Sequence, residues 1–367
     1  MGILRTLLAI CVVVFHSYKI AGLGFTGGKV SVQCFYIISG FYMALILNEK
    51  YTGENYSYWN FIKGRFLRIF PSYLIVLVVS FFFSLVGFYF WNNPYYFGLY
   101  IPYWEKLSLW ARLWFITENF LVIGQDLLFF FKLNVQHLSL EFTSKAFITN
   151  KPLILNGFLF LPQAWTLSLE LTFYMLAPFI VRSRFLIQAS LIAISLGLRY
   201  YFYTYLHLNH DPWTYRFFPF EIAFFVTGIC MFNLYKIYER AKVSNMIGLI
   251  SLILVIILII FYDKLPFHEN VRCWYFYLIF SITLPVIFQI TKTIQMDRFI
   301  GELSFPIYLL HHLIMFILKK YFWTHTENMY WFGISSVLLS IITALLFYQF
   351  ISKPLEKLRV RTLNYSK

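Results

Sequence analysis

Apolar residues along this chain run in long unbroken stretches. Stretches of about 20 predominantly apolar residues, the length needed to cross a hydrocarbon core, fall at roughly 3–20, 30–48, 69–90, 164–181, 185–204, 217–235, 246–262, 273–291, 303–320 and 330–351. Each predicts a membrane-spanning helix, which makes about ten. A further stretch at 113–131 is interrupted by Glu118, Gln125 and Asp126. It reads as a re-entrant or interfacial segment within a long outer region, 91–163. The expected fold is an all-α membrane protein, a bundle of about ten transmembrane helices forming one integral-membrane domain over 1–367. The N-terminal apolar run has no basic leader and no small-residue cleavage site. It therefore reads as a first span and not as a cleaved signal peptide.

Composition supports this picture. Of 367 residues, 60% are hydrophobic and 13% charged, against about 25% charged in soluble domains. A soluble core, a disordered chain and a disulfide scaffold are all excluded by that balance. The four cysteines, Cys11, Cys34, Cys230 and Cys273, lie in or at the edge of apolar runs with no metal-binding spacing, and read as buried thiols.

Net charge is +14. With no soluble basic domain to carry it, nucleic acid is not an expected partner. With ten spans and an inside N-terminus, sixteen Lys and Arg collect on the inner side, Arg65, Arg68, Lys242 and Lys367 among them, against seven in the short outer loops. A spanning 113–131 would reverse that bias. The positive-inside rule therefore predicts a multi-pass protein of the cytoplasmic (inner) membrane with both termini cytoplasmic. The outer region is rich in aromatics, including Tyr95, Tyr100, Trp104, Trp110 and Trp114. They read as an interfacial belt or as faces on which sugar rings stack.

Ionisable groups inside spans are costly and mark candidate chemistry. Arg5 and His16 are eleven residues apart, about 16 Å of rise and within roughly 20° of three full turns, so they share a helix face. Ser39 and Gly40 offer a close approach to backbone in the second span, for a neighbouring helix or for a ligand. Arg65 and Arg68, at i and i+3 before Pro71, fall on one side of a helix and read as topology anchors or as a clamp for ligand phosphates. Glu170 stands five residues into its span and needs a partner. Tyr308, His311 and His312 lie in the ninth span. Adjacent histidines point about 100° apart, which predicts that only one of the two faces a given site. Arg199, Glu221 and Glu302 are lesser candidates without an assigned role.

Five of these segments, in order, resemble acyltransferase family 3, integral-membrane enzymes that acylate extracytoplasmic saccharides. RTLLAICVVVFH carries the family's Arg, ten residues, His pattern on Arg5 and His16. FYIISGFYM is similar to FFxxSGF, RFLRIFPSY to RxxRIxPxY, WTLSLELTFYMLAP to WSLxxExxFYxxxP, and SFPIYLLHH to SYxxYLxH. Two departures stand out. Gln33-Cys34 occupies a stretch that often carries an acid in the family, and Ser352-Lys353-Pro354 lacks the glutamate of the family's final turn.

The resemblance implies an acyl-CoA donor, usually acetyl-CoA, and no permanently bound cofactor or metal. It implies as acceptor a hydroxyl of a glycan or glycolipid such as lipopolysaccharide, capsule or exopolysaccharide, within membrane lipid. On this reading His16 takes the hydroxyl proton with Glu170 as partner, or itself carries the acyl group. Arg65 and Arg68 hold CoA phosphates, Arg5 contacts the CoA or thioester end, and Ser39 and Gly40 let the pantetheine arm pass. Tyr308 and His311 are additional candidates. A different acyl group or acceptor, or a flippase for a lipid-linked sugar, are the competing expectations.

Overall fold

The computed structural model describes residues 1–51, 57–91, 93, 95–147, 153–241, 243–321 and 329–364. Lys242 and Lys367, counted above among the inner charges, lie outside the described residues. Each of the ten apolar stretches is a helix: α1 (Gly2–His16), α2 (Gly27–Glu49), α3 (Tyr58–Trp91), then, after two short helices of the outer region, α4 (Tyr100–Tyr103) and α5 (Leu109–Leu121), α6 (Trp165–Val181), α7 (Phe185–Thr204), α8 (Phe218–Arg240), α9 (Asn245–Ile260), α10 (Glu269–Thr291), α11 (Gln295–Tyr321) and α12 (Met329–Phe347). A π turn at Tyr348–Ser352 leads into α13 (Lys353–Asn364).

Eight of these helices are long and apolar enough to cross a membrane. The protein is an all-α membrane protein. The first and seventh expected spans are shorter, at 15 and 16 residues. At 1.5 Å per residue α1 covers about 22 Å, less than a hydrocarbon core of about 30 Å. It stops at His16 and not at residue 20 because Ser17 closes it: its N–H and its hydroxyl both donate to the Val13 carbonyl, at 2.9 and 2.7 Å. The chain then turns through Ala21 and Gly22 with positive φ. In the other direction, α3 starts eleven residues before the expected 69. Pro71 sits inside it, so Arg65 and Arg68 belong to the same continuous helix as the span.

The described part of 91–163 holds more than helix. A small antiparallel sheet of order β2-β1-β3 is built from β1 (Phe131–Asn134), β2 (Ser139–Phe142) and β3 (Leu153–Ile154). Lys132 pairs with Glu141 across β1 and β2 and with Ile154 of β3. Helix α5 is 13 residues long and is apolar on its exposed face, with Leu109, Trp110, Leu113, Ile116 and Phe120 outward. Its inward face carries Glu118 and Asn119 beside Ala111 and Phe115. A helix with its polar groups turned in fits an apolar surround.

The chain divides into two compact units. The first comprises 1–58, 177–189 and 224–367, and the second 59–176 and 190–223. In the first unit α1 packs chiefly on α11 and also on α2 and α12. The starts of α1 and α11 are tied together. Asp297 accepts from the Gly2 and Ile3 N–H groups at 2.7 and 2.9 Å, satisfying donors that a helix start leaves open. Thr6 donates to the Ile300 carbonyl at 2.6 Å. A Cβ on Gly2 would lie 1.6 Å from the Asp297 carbonyl oxygen, and one on Gly301 would lie 2.7 Å from the Gly2 Cα. Only glycine permits this approach, and it sets α1 and α11 parallel and in register.

In the second unit, polar groups are tied into networks. Tyr73 donates to the Asn119 carbonyl at 2.6 Å, and Asn119 Nδ2 donates to the Phe158 carbonyl at 2.8 Å while its Oδ1 accepts from Phe160 N–H at 2.9 Å. Gln125 donates to the Tyr73 hydroxyl and to the Glu118 carbonyl, at 3.1 and 2.8 Å. Arg199 of α7 and Glu221 of α8 form a buried ion pair at 2.5 Å, and Arg199 also donates to the Phe220 carbonyl at 3.1 Å. These two candidates therefore neutralise one another.

Candidate active site

The parallel register of α1 and α11 decides what meets His16. The glycine contact fixes their starts, and equal rise along both helices brings the end of α1 beside residues 311 and 312. The ring centroid of His16 lies 5.3 Å from that of His311 and 4.6 Å from that of His312, and those two are 4.5 Å apart. This corrects the expectation that only one of the adjacent histidines faces the site. The 100° separation applies to the Cα–Cβ directions, and each imidazole is long enough to swing back toward α1.

The three rings differ in exposure. His16 is exposed, His312 half-buried and His311 fully buried. His311 Nδ1 lies 2.6 Å from the Tyr308 carbonyl oxygen. A carbonyl only accepts, so Nδ1 carries the proton and Nε2 keeps a lone pair. Among the described residues, that buried Nε2 has no hydrogen-bond partner. Tyr308 thus acts on the site through its backbone, and its ring stands 5.7 Å from that of His311.

Arg5 lies on the same helix, with its guanidinium 5.9 Å from the Tyr42 ring centroid. Tyr42 follows Ser39-Gly40 on α2. The bare face of Gly40 is already filled: a Cβ there would lie 1.8 Å from the Phe225 carbonyl oxygen of α8, and one on Gly228 would lie 2.0 Å from that of Ile37. Gly40 therefore serves a close helix crossing, and the pantetheine passage expected of it has no open face at that atom. Gln33, where the family often has an acid, is buried and accepts from the Tyr277 hydroxyl. An amide oxygen takes that bond without the cost of burying a charge.

The second unit holds the remaining candidates. Arg65 is buried and Arg68 exposed, so the i, i+3 pair presents two different environments. Both act electrostatically on Tyr174, whose hydroxyl donates to Glu170. Arg65, Arg68 and Glu170 thus all bear on Tyr174, and one partner of Glu170 is this tyrosine on the next turn of α6. Other positions of the WTLSLE segment are also accounted for. Trp165 lies 4.3 Å from the guanidinium of Arg216, which also sits 4.1 Å from Phe129 and is held by Asp211 at 2.7 and 3.0 Å. Ser168 donates to Asp126 at 2.6 Å and accepts from Gly124 N–H at 2.8 Å.

Glu118 and Asp126 are groups that the sequence reading passed over as mere interruptions of an apolar run. Both are buried in the outer region, outside the spans. Burial pushes the Glu118 carboxyl up to about 7; the Trp114 indole N–H, donating at 2.9 Å, opposes this, and the Asp126 charge adds to it. Burial likewise raises Asp126 to about 6 against the Ser168 bond. The signal was present in the sequence: acids placed three and four residues from aromatics inside an otherwise apolar stretch.

A family model described as an acyltransferase domain matches residues 1–349. The chain belongs to acyltransferase family 3. It is a multi-pass membrane acyltransferase, which sets the flippase expectation aside. No curated protein and no solved structure matches the chain. In this acyltransferase, the Arg–ten residues–His and SYxxYLxH-like segments lie together in the first unit, and the RxxR and WSLxxE-like segments lie together in the second.

Proposed function

We propose that this acyltransferase moves an acetyl group from cytosolic acetyl-CoA to a hydroxyl of an extracytoplasmic glycan or glycolipid, from the inner membrane, with both termini cytoplasmic. The observation that carries the reading is His16 at the end of a short membrane helix. It is exposed, and it stands beside a histidine whose Nδ1 lies on a backbone carbonyl oxygen. An alcohol attacks a thioester only as its proton leaves. In our proposal His16 accepts that proton as the hydroxyl oxygen bonds to the acyl carbon, the C–S bond breaks, and the CoA thiolate takes up a proton on departure.

On the donor side, Arg65 and Arg68 supply fixed positive charge for the CoA phosphates. Glu170, held by Tyr174, sets the charge balance beside them. Arg5, on the face that leads to His16, is assigned to the thioester end of the donor.

The test is acyl transfer in membrane vesicles with labelled acetyl-CoA and purified surface glycan. His16→Ala is expected to lower transfer by about 10²–10⁴-fold, the usual contribution of a positioned base. Transfer at the wild-type rate would remove His16 from the mechanism. Mass spectrometry of the glycan, with and without the protein, reads the acyl group and the acceptor together.

A further inference from the structure

We propose that His16, His311 and His312 form a binding site for a divalent transition cation of the zinc class. Each ring offers one nitrogen, and the three donor atoms lie within 4.8 Å of one another. Zinc bonded to imidazoles at about 2.0–2.1 Å in a tetrahedron needs them about 3.4 Å apart. The gap is small, and the exposed ring of His16, at the end of α1, has room to help close it. His311 stays put: it is fully buried, and its Nδ1–H is anchored on the Tyr308 carbonyl.

That anchor also argues for a ligand. Metal-bound histidines as a rule donate their other ring N–H to a carboxylate or a backbone carbonyl, which fixes the tautomer and aims the free lone pair. His311 has this arrangement, with a buried Nε2 that no hydrogen bond uses. An imidazole-only donor set selects zinc, cobalt, nickel or copper over magnesium or calcium, which require oxygen. Three ligands leave the fourth position open. No motif announces the site, because its ligands come from the two ends of the sequence.

The site has a consequence for catalysis, and this part rests on the base role proposed for His16. A nitrogen bonded to a metal has no lone pair for a hydroxyl proton. Zinc and the acceptor therefore compete at His16, and bound metal holds the enzyme off.

The experiment uses the full-length protein in detergent, stripped with chelator and titrated with Co²⁺ as a visible-absorbing stand-in for zinc. One equivalent is expected to bind with d–d absorption, and His16→Ala and His312→Gln should each weaken binding by at least tenfold. Because His16 is exposed and His312 half-buried, these variants avoid the fully buried His311. His137→Ala, in an exposed turn, should bind as the wild type does. Absence of saturable binding, or unchanged binding in both His16→Ala and His312→Gln, overturns the site and leaves the base role standing. In the transfer assay, micromolar Zn²⁺ should inhibit and chelator should restore the rate. Acceleration by zinc overturns the competition and the base role together, while the Co²⁺ titration still reports the site.

Discussion

Two clusters, the Arg199, Ser168 and Asn119 contacts of the second unit and the histidines of the first, hold polar groups in an apolar surround in opposite ways. In the former, unlike groups meet. Arg199 neutralises Glu221, Ser168 bridges Asp126 and the Gly124 amide, and Asn119 binds backbone on two sides. In the histidine cluster, like groups meet: three imidazoles of identical chemistry press together at ring separations of 4.5–5.3 Å. Pairing of unlike groups offsets the desolvation each would suffer alone. Clustering of bases brings no such return, because protonating one disfavours protonating the next. An arrangement that does little for stability is what the roles proposed above, with a proton or a metal ion, call for.

The contrast can be broken by substitution. The largest effect is on activity: His16→Ala should lower transfer by about 10²–10⁴-fold with the thermal midpoint unmoved. Arg199→Leu should do the reverse, destabilising by about 3–5 kcal/mol because Glu221 is left buried and unpaired. The double variant Arg199→Leu/Glu221→Leu should recover most of that loss in detergent melts. If Arg199→Leu abolished transfer in protein that melts normally, the pair would belong to the chemistry and the contrast would fail.

A smaller effect is expected at the glycine crossing. Gly40→Ala places a methyl against the Phe225 carbonyl and should cost about 1–3 kcal/mol of stability. Acetyl-CoA KM in the surviving enzyme should stay within twofold of the wild type. Arg68→Ala should raise that KM by about tenfold, the worth of one charge-assisted bond, without moving the melt, since Arg68 is exposed. Arg65→Ala, from a buried position, should move both.

The smallest effect is a pH dependence. The folded state holds Glu118 protonated up to about 7 and Asp126 up to about 6, above their unfolded values. Their contribution is complete below those unfolded values and is lost as pH rises through about 6 and then 7. Stability should therefore fall between pH 5 and 8, and Glu118→Gln should flatten that slope by a few degrees in melting temperature. An unchanged slope would show that Glu118 titrates alike in both states.

The helices were legible because lipid imposes one requirement, about 20 apolar residues with all backbone bonds internal. The ends of α1 and α3 were not. Phe15 and Tyr18 continue the apolar pattern past the point where Ser17 turns the chain, and Pro71 looks like a start when it lies within a helix. The strands at 131–154 were invisible because runs of two to four residues with Lys132, Asn134 and Glu141 show no usable alternation. At the site, Arg5 and His16 were legible from their spacing alone. The meeting of His16 with both His311 and His312 was not, because it depends on a helix register fixed by Gly2, Gly301 and Asp297, residues with no visible chemistry. Glu170 announced itself as needing a partner, and Tyr174 was one turn away.

The 15-residue length of α1 also shortens the journey that the enzyme must manage. A helix of about 22 Å leaves roughly 8 Å of a 30 Å hydrocarbon core uncovered. Membranes answer such a shortfall by thinning or by drawing headgroups inward. On the function proposed above, His16 stands at such a dimple, where a hydrated acceptor reaches the reacting atoms without shedding its water into oil.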